Sequence, residues 1–249
     1  MILKEISFSA PLDNILYDEV LLYRAQYLGT KEFLRIWESS QTFIVLGRSG
    51  HLEQEVRLDN VPKEGLPILR RRSGGGTVLQ GKGCLNYSLI LSKRHRPFVY
   101  DLHESYQRIL GMITESLRAI GFQAVVKPLS DLVCAGNLCK FSGNAQHRMR
   151  DHVLHHGTVL YDFDVSLMEK YLTYPCQVPK YRAGRSHTAF VMNVPLSRSS
   201  IQGMLVSCFR PSESQGITQE ESECLQQFRE KYSDLLVAPV SRPQQEAYS

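Results

Sequence analysis

The stretch Arg70-Arg71-Arg72-Ser73-Gly74-Gly75-Gly76-Thr77-Val78 is the most informative part of this chain. Three consecutive glycines let the backbone approach a ligand closely and adopt conformations that side chains forbid. The arginines before them carry fixed positive charge and planar donors that suit carboxylate or phosphate groups. By itself, the stretch is equally consistent with a turn beside a solvated run of charge. Its interpretation therefore depends on the rest of the chain.

Two further motifs follow in order, Lys140-Phe141-Ser142-Gly143-Asn144-Ala145-Gln146 and His155-His156-Gly157-Thr158. A lone lysine on a strand is usually an exposed surface residue, but this one is followed by small residues that permit close approach of a ligand. Written as RRxSGGGxV, KxSGxA and HHGT, the three motifs form a specific combination. They resemble those of the lipoate–protein ligase A family, within the larger group that includes biotin ligases and octanoyl transferases.

The resemblance covers about residues 10–198 and implies an α/β fold of the α+β type, a mixed β-sheet core with flanking helices. Residues 12–19 resemble the family's first helix, and residues 33–37 and 42–48 resemble its paired strands. We expect a catalytic domain over residues 1–198 and a helical extension packed on it over residues 199–238. The Pro-, Gln- and Ser-rich composition predicts a disordered tail over residues 239–249.

Hydrophobic spacing and end signals predict the other elements. They indicate a helix over 12–28 that Gly29 closes, a strand over 85–91, and a long helix capped by Asp101 and Glu104 that ends at Gly121. Residues 122–161 have the pattern of strands and turns, and a short helix is expected over 166–172. Thr218 and Glu221 form a capping box for a last helix that reaches about Tyr232.

The resemblance also assigns roles to individual residues. It implies that Lys140 contacts both the acyl carbonyl and the phosphate of an acyl-adenylate, where a fixed donor stabilises developing charge. Asp131 matches an acidic residue placed at the nucleotide or its Mg²⁺. The other residues that it places around the acyl and adenylate sites are Arg71, Ser73, Gly74, Gly75, Gly76, Thr77, Val78, Ala145, His156, Gly157 and Thr158. Gln80 stands where the family often has His.

A donor-rich segment over residues 181–187 resembles the family's basic segment. It adds Arg182 and Arg185 as part of a loop that faces either the adenylate or the acceptor protein, with a merely solvated loop as the alternative. Arg148 and Arg150, together with Lys180, Arg182 and Arg185, predict a positive rim at the mouth of the pocket. Only about fifty residues follow the motifs, too few for the separate accessory domain of longer ligases, and some short members of the family rely on an accessory chain.

These assignments imply an ATP-dependent lipoate–protein ligase. It would activate lipoate or octanoate with ATP and Mg²⁺ and transfer the acyl group to a lysine of a carrier domain. The resemblance implies two kinds of partner, the lipoyl domains of 2-oxo acid dehydrogenase acyltransferase subunits and the glycine-cleavage carrier protein.

Two alternatives remain open. One is an octanoyl or lipoyl transferase that takes the acyl group from an acyl carrier or a lipoyl protein. Cysteine-dependent relatives place their nucleophile about fifteen residues before the motif lysine, near Val125 here, and no cysteine is found there. Cys134 and Cys139 lie closer to Lys140, where a structural thiol is the ordinary interpretation. The other alternative is a non-catalytic module that binds an acyl group or a nucleotide.

Several other sites and classes are disfavoured. Gly76 to Gly83 has the G-x-x-x-x-G-K spacing of a P-loop, but Gly83 replaces the Ser or Thr that holds magnesium, and a strand follows instead of a helix. His152, His155 and His156 are close in sequence, yet neighbouring strand residues face opposite sides, so a shared metal is not expected.

Composition indicates an ordinary globular protein. The 249 residues carry a net charge of +4, too small to favour nucleic-acid binding. No apolar run reaches the ~20 residues of a membrane span, and no secretory signal is visible. The six cysteines contain no C-x-x-C pair, which argues against a zinc site or a disulfide framework. We therefore expect a cytoplasmic protein with reduced thiols.

Overall fold

The computed structural model describes residues 1–29, 31–61, 65–128, 130–175 and 178–237, so the predicted tail over 239–249 lies outside the described residues. The strands are β1 Ile2–Lys4, β2 Phe33–Trp37, β3 Phe43–Leu46, β4 Ile68–Arg70, β5 Val78–Gln80, β6 Cys84–Ser92, β7 Ala124–Lys127, β8 Asp131–Cys134, β9 Lys140–Arg148, β10 His152–Leu160 and β11 Glu213–Ser214. The helices are α1 Pro11–Leu28, α2 Leu52–Glu55, α3 Leu102–Ala119, α4 Ser166–Tyr171, α5 His187–Phe190, α6 Arg198–Phe209 and α7 Gln219–Lys231.

Two sheets organise the molecule. The larger has eight strands in the order β11-β1-β2-β6-β10-β9-β8-β7, and the smaller has three in the order β4-β3-β5. In the large sheet β1 runs parallel to β2 and β11, and the other neighbours are antiparallel. The predicted α/β fold with a mixed sheet and flanking helices is therefore confirmed.

The predicted pairing of the second and third strands was wrong. Strand β2 pairs with β1 and β6 in the large sheet, whereas β3 pairs with β4 and β5 in the small one. The polar connection between them carries the chain from one sheet to the other instead of closing a hairpin. Within it, Ser39 Oγ accepts a hydrogen bond from Gln41 N at 3.2 Å and donates one to Gln41 O at 2.9 Å.

Local end signals set the helix limits as predicted. Helix α1 ends at Gly29, whose φ of 63° is the left-handed conformation that glycine adopts readily. Asp101 caps α3 by accepting a 2.7 Å hydrogen bond from Glu104 N, and Thr218 with Glu221 forms the expected capping box of α7. Helix α6 lies within the predicted helical extension over residues 199–238, but its bounds were not predicted. It starts after the cap Ser197 and buries only Ile201, Met204 and Leu205, a stripe too short to stand out.

The two faces of the large sheet carry separate hydrophobic clusters. On one face α3 and α6 cover Leu89, Val153 and Phe141. On the other face α1 and α7 cover Ile90 and Leu154, whose side chains alternate with those of the first face along β6 and β10. Among the described helices, none is long and apolar enough to cross a membrane.

Residues beyond 198 are built into this architecture. Strand β11 pairs in parallel with β1 at one edge of the large sheet, and α7 packs on α1. The extension thus shares a sheet and a core with residues 1–198. The predicted division at residue 198 stays a prediction.

Candidate active site

The glycine loop joins β4 to β5 and crosses a second loop at Gly47. A Cβ on Gly47 would lie 1.9 Å from the carbonyl oxygen of Gly75, so only glycine permits this crossing. Gly75 itself has a φ of 89°. In contrast, a Cβ on Gly74 or Gly76 would meet no atom of the described residues within 4 Å. The outer surface of the loop is therefore open, as a ligand-binding loop requires.

Two of the three arginines before the loop, Arg70 and Arg71, donate hydrogen bonds to backbone carbonyls of the protein. Arg70 Nη1 donates to the carbonyl oxygens of Gly47 at 3.0 Å and Gly50 at 2.7 Å. Arg71 is 8% exposed, and its Nη2 donates to the carbonyl oxygens of Gly74 at 2.7 Å and Gly76 at 2.8 Å. Burial lowers the pKa of Arg71 to about 10, so it remains charged at neutral pH. Arg71 thus lies beneath the loop and organises it.

This arrangement determines which way the loop amides point. In a trans peptide unit the C=O and the following N–H point in opposite directions. Because the carbonyls of Gly74 and Gly76 point at Arg71, the N–H groups of Gly75 and Thr77 point away from it. Two backbone donors are thereby directed to the side of the loop opposite the guanidinium, as in the backbone nests that bind anions.

The second histidine of the HHGT motif anchors the start of the loop. Ser73 Oγ lies 2.6 Å from His156 Nε2 and accepts a 3.1 Å hydrogen bond from Arg71 Nε. Burial, assisted by the charge of Arg71, lowers the pKa of His156 to about 3. The hydrogen bond between the Ser73 hydroxyl and the neutral imidazole joins the RRxSGGGxV motif to β10.

Lys140 and Asp131 meet at the starts of β9 and β8. A register shift lies between Leu132 and Val133, so that Asp131 pairs with Gly143 while Val133 pairs with Lys140. This irregularity brings the Lys140 side chain over Gly143, where a Cβ would lie 3.1 Å from its Cε and Nζ atoms. Lys140 Nζ is 2.7 Å from Asp131 Oδ1. The small residue in KxSGxA therefore makes room for the lysine itself.

Tyr181 completes this group, a contact that sequence reasoning missed. Its hydroxyl donates to Asp131 Oδ2 at 2.6 Å. Burial and the negative charge of Asp131 raise the pKa of Tyr181 well above its ordinary value, so the hydroxyl remains a donor. One carboxylate thus holds both Tyr181 and Lys140, whose side chain is 30% exposed. No spacing in the sequence relates residues 131 and 181.

The basic segment is folded against the protein. The Arg182 guanidinium lies 4.5 Å from the Tyr174 ring and 4.8 Å from the Phe190 ring, and the residue is 4% exposed. Its buried Nη2 has no hydrogen-bond partner among the residues that the structure describes. Arg185 Nη2 donates to the carbonyl oxygens of Leu138 and Tyr181 at 3.1 and 2.9 Å. The alternative of a merely solvated loop is therefore not what the structure shows.

The same segment reaches Lys140 through the backbone. Val191 forms a parallel bridge with Lys140, and Met192 N donates to Lys140 O at 2.9 Å. The segment that contains Arg182 and Arg185 is thereby attached to the first residue of β9.

Thr158 belongs to an uncharged ring of side chains beside the site. Gln80 Nε2 donates to Thr158 Oγ1 at 2.8 Å, Thr158 Oγ1 donates to Asn86 Oδ1 at 2.6 Å, and Asn86 Nδ2 donates to Gln80 Oε1 at 3.0 Å. Gln80, which stands where the family often has His, closes this ring.

The last two residues of the RRxSGGGxV motif lie at the end of the glycine loop. Thr77 Oγ1 donates to Glu55 Oε2 at 2.5 Å, and Val78 begins β5.

Two other predicted residues sit on opposite faces of the sheet. Ala145 is paired with His156 on the face of the glycine loop. Gly157 lies on the other face, where a Cβ would be 1.9 Å from Asn144 Oδ1 and 2.8 Å from the Tyr87 hydroxyl oxygen. The structure gives Gly157 a packing role, because its lack of a side chain makes room for the hydrogen bond between Tyr87 and Asn144.

The prediction that Arg148 lies at the mouth of the pocket was wrong. Lys140 and Arg148 are the first and last residues of β9, which separates their Cα atoms by about 26 Å along the strand. The partly buried Arg148 donates to the carbonyl oxygens of Val99 and Tyr100 and so braces the start of α3. Arg150 pairs with Asp151 at 2.9 Å in the turn. Lys140 and Arg148 are close in sequence, but residues at the two ends of an extended strand lie far apart in space.

His155 and His156 face opposite sides of β10, as strand alternation predicts. His155 is fully buried, 5.4 Å from the Tyr106 ring, and its Nδ1 accepts from Gln146 Nε2 at 3.1 Å. In the part of the chain that the structure describes, no group of three or more His, Cys, Asp or Glu side chains is arranged to hold a metal ion.

Comparison with known proteins decides the family. The model of the lipoyl protein ligase A/B catalytic domain matches residues 10–199. The chain belongs to this family. Among its relatives, subunit 1 of lipoate-protein ligase A from Thermoplasma acidophilum is 26% identical over 239 residues, which cover 88% of each protein. The human mitochondrial lipoyl amidotransferase LIPT1 is 32% identical over 169 residues, covering 67% of this chain and 43% of the relative.

Solved structures of family members have the same fold. A bipartite lipoate protein ligase from Thermoplasma acidophilum, solved in a study with its E2 lipoyl domain, superposes with a TM-score of 0.79 at 25% identity, covering 93% of both chains. A lipoate-protein ligase A bound with ATP gives 0.76 at 24% identity, covering 93% of this chain and 95% of the other. The chain spans about half the length of several curated relatives that it matches.

Proposed function

We propose that this family member is the catalytic unit of an ATP-dependent lipoate–protein ligase. It would convert lipoate or octanoate to the acyl-adenylate and transfer the acyl group to a lysine of a lipoyl domain. The observation that carries the proposal is the placement of Lys140. Its side chain lies over Gly143, two residues along β9 from Ala145, and Ala145 pairs with the histidine that anchors the glycine loop. A fixed cation and an amide-lined loop therefore share one face of the sheet.

These residues suit the first half-reaction. A carboxylate oxygen attacks the α-phosphorus of ATP, and the bond to the departing pyrophosphate breaks. Both reactants are anionic, so charge must be offset where they meet. Lys140 would donate to the carboxylate and α-phosphate oxygens, while the outward N–H groups of Gly75 and Thr77 would bind a further anionic oxygen. Asp131 and Tyr181 hold the ammonium in place.

The second half-reaction uses the same groups. The neutral amine of the carrier lysine attacks the acyl carbonyl, AMP leaves with the bonding electron pair, and the proton lost by the amine passes to solvent. Lys140 would stabilise the negative charge that develops on the carbonyl oxygen. Mg²⁺ prefers oxygen ligands and is commonly bound by one or two carboxylates together with substrate phosphates. Asp131 would be a single protein ligand through the carboxylate lone pairs that its contacts with Lys140 and Tyr181 leave free, and the ion would supply charge neutralisation at the phosphates.

The proposed partners have support from the relatives. The Thermoplasma ligase is bipartite and was solved in a study with its E2 lipoyl domain. We therefore propose lipoyl domains as acceptors, including those of 2-oxo acid dehydrogenase acyltransferase subunits and the glycine-cleavage carrier protein. A separate accessory chain is part of the proposal, because this chain covers 88% of a relative named as a ligase subunit.

Transfer without adenylation is the second candidate, favoured by the similarity to the human lipoyl amidotransferase. Its donor would be an acyl carrier or a lipoyl protein. The thiols near Lys140 give it little support. Cys139 Sγ lies 3.6 Å from Ala189 O and 3.7 Å from Arg185 Nη1, and Cys134 packs against the core beneath α3. Val125, at the position of the nucleophile in cysteine-dependent relatives, pairs with Val133.

One assay separates these functions. Apo lipoyl domain is incubated with the chain and one of three donors: lipoate with ATP and Mg²⁺, octanoyl carrier protein, or a lipoylated carrier. The mass of the domain is then measured, with a domain that lacks the acceptor lysine as the control. Modification by lipoate and ATP supports the ligase, and the first arm is repeated with an accessory chain. Modification only by a carrier donor would replace the ligase with the transferase, and no modification in any arm would leave the binding module.

A further inference from the structure

The C-terminal helix α7 and the residues after it are firmly attached to the N-terminal half of the chain. Glu221 accepts hydrogen bonds from the buried ammonium of Lys4 and, at 2.7 Å, from the Tyr17 hydroxyl. Arg229 donates to both oxygens of Asp13 at 2.6 and 2.8 Å. The buried Glu221 contacts anchor α7 and so fix the position of the segment that follows it, while the partly exposed Arg229–Asp13 pair adds a contact near the surface.

That segment continues to the free edge of the small sheet. Leu236 forms an antiparallel bridge with Leu69 of β4, and Val237 N donates to Ile68 O at 2.8 Å. Strand β4 is the edge strand in the order β4-β3-β5, and it leads directly into the glycine loop. The C-terminal segment therefore supports the strand from which the loop emerges.

A side-chain contact extends this support to the loop itself. The Arg72 guanidinium carbon lies 4.7 Å from the centroid of the Tyr232 ring, within the range of a cation–π interaction. The Tyr232 ring packs edge-on against the buried Phe228 at 5.1 Å. Arg72 occupies the open position of RRxSGGGxV, and the next residue, Ser73, is the one held by His156.

We propose that Tyr232 is a positioning residue that holds the glycine loop in its ligand-binding conformation. Three glycines have a large conformational entropy, so the loop needs contacts at its ends to stay ordered. If only a fraction of the molecules have the ordered loop, the apparent affinity for the ligand is the intrinsic affinity multiplied by that fraction. The kinetic part of this proposal rests on the ligase function proposed above, whereas the conformational part does not.

The experiment compares Tyr232→Leu, which removes the aromatic face, with Tyr232→Phe, which keeps it. Arg229→Gln is the matched control, since it removes a partly exposed ion pair of α7 and leaves the buried Glu221 contacts and the loop contacts in place. Amide hydrogen exchange over residues 71–77 and the KM for lipoate are measured in all three. Tyr232→Leu should speed exchange and raise the KM about five- to tenfold with kcat changed less than twofold, and Tyr232→Phe should restore both. Arg229→Gln should lower the Tm alone.

The variant Arg72→Gln should match Tyr232→Leu, and the double variant should be no worse than either, because both remove one contact. The inference is overturned if Tyr232→Phe is as impaired as Tyr232→Leu, if exchange over 71–77 is unchanged, or if Arg229→Gln changes exchange equally. Exchange is measured without substrates. A wild type without ligase activity would therefore refute the proposed function and leave this test intact.

Discussion

Replacing Lys140 by alanine tests the proposed chemistry most directly, because its effects on stability and on rate differ greatly in size. The Lys140–Asp131 pair is short, at 2.7 Å, but the two side chains are 30% and 11% exposed. Partly exposed pairs of this kind contribute about 1 kcal/mol. Asp131 also keeps its hydrogen bond from Tyr181. For a chain of this length, the Tm should fall by only about 2–4 °C.

The expected loss in rate is much larger. Removing one donor from a site of developing charge typically lowers kcat about 10²–10³-fold, or about 2.7–4 kcal/mol. We therefore expect a folded Lys140→Ala protein with adenylation reduced by that factor. Exchange of labelled pyrophosphate into ATP, dependent on lipoate, measures this step alone. Lys140→Arg keeps the charge with a different donor geometry and should retain more activity than alanine.

Thermal unfolding and circular dichroism of each variant provide the control for folding. If a folded Lys140→Ala protein exchanges pyrophosphate at nearly the wild-type rate, Lys140 is not the group that offsets the developing charge. In that event, the assignment of the site on the face of Gly143 would be wrong.

Three further predictions follow from particular contacts. Gly157→Ala should destabilise the protein by about 2–3 kcal/mol, because its Cβ would lie 1.9 Å from Asn144 Oδ1. Gly203→Ala in α6 should instead stabilise the protein by about 0.5–1 kcal/mol, because a Cβ there meets no atom of the described part of the chain within 4 Å. Equal Tm values for the two variants would contradict the packing argument. Cys134→Ser and Cys139→Ser should keep most of the ligase activity, whereas loss of activity with an octanoyl thioester trapped on the wild type would favour the transferase. Burial lowers the pKa of His155 to about 3, so between pH 6.5 and pH 3 the unfolded chain binds more protons and the free energy of unfolding falls with falling pH. In His155→Phe the slope of that fall, measured by urea unfolding, should be smaller by up to about 1.4 kcal/mol per pH unit, and an unchanged slope would contradict the neutral buried imidazole.

Much of the architecture could be read from local patterns. Asp101 with Glu104 and Thr218 with Glu221 predicted helix starts correctly, since a cap acts within one turn of the chain. The pairing of β2 with β3 was predicted incorrectly because partner choice depends on all strands that compete for an edge. The bounds of helix α6 were not predicted, because its apolar stripe holds only three buried residues.

In the functional site, too, local patterns could be predicted from the sequence, whereas long-range contacts could not. The motifs alone indicated the family, the importance of Lys140 and the opposite faces of His155 and His156, since these depend on residue type and short spacing. Their partners could not be found this way. Tyr181 meets Asp131 across 50 positions of sequence, and Arg72 meets Tyr232 across 160. Such contacts are decided by how the sheets and segments pack, and no spacing rule encodes that.

Electrostatic roles were likewise decided in three dimensions. In sequence, Arg70, Arg71 and Arg72 looked like one positive patch for a ligand, yet each contacts a different part of the protein. The sequence determined that a charged, glycine-rich loop would exist and which chemistry suits it. The tertiary structure decided that Arg71 orders the loop from beneath while Lys140 extends a cation over Gly143. The physical reason is that a buried guanidinium must satisfy its donors with nearby carbonyls, and only the fold determines which carbonyls are near.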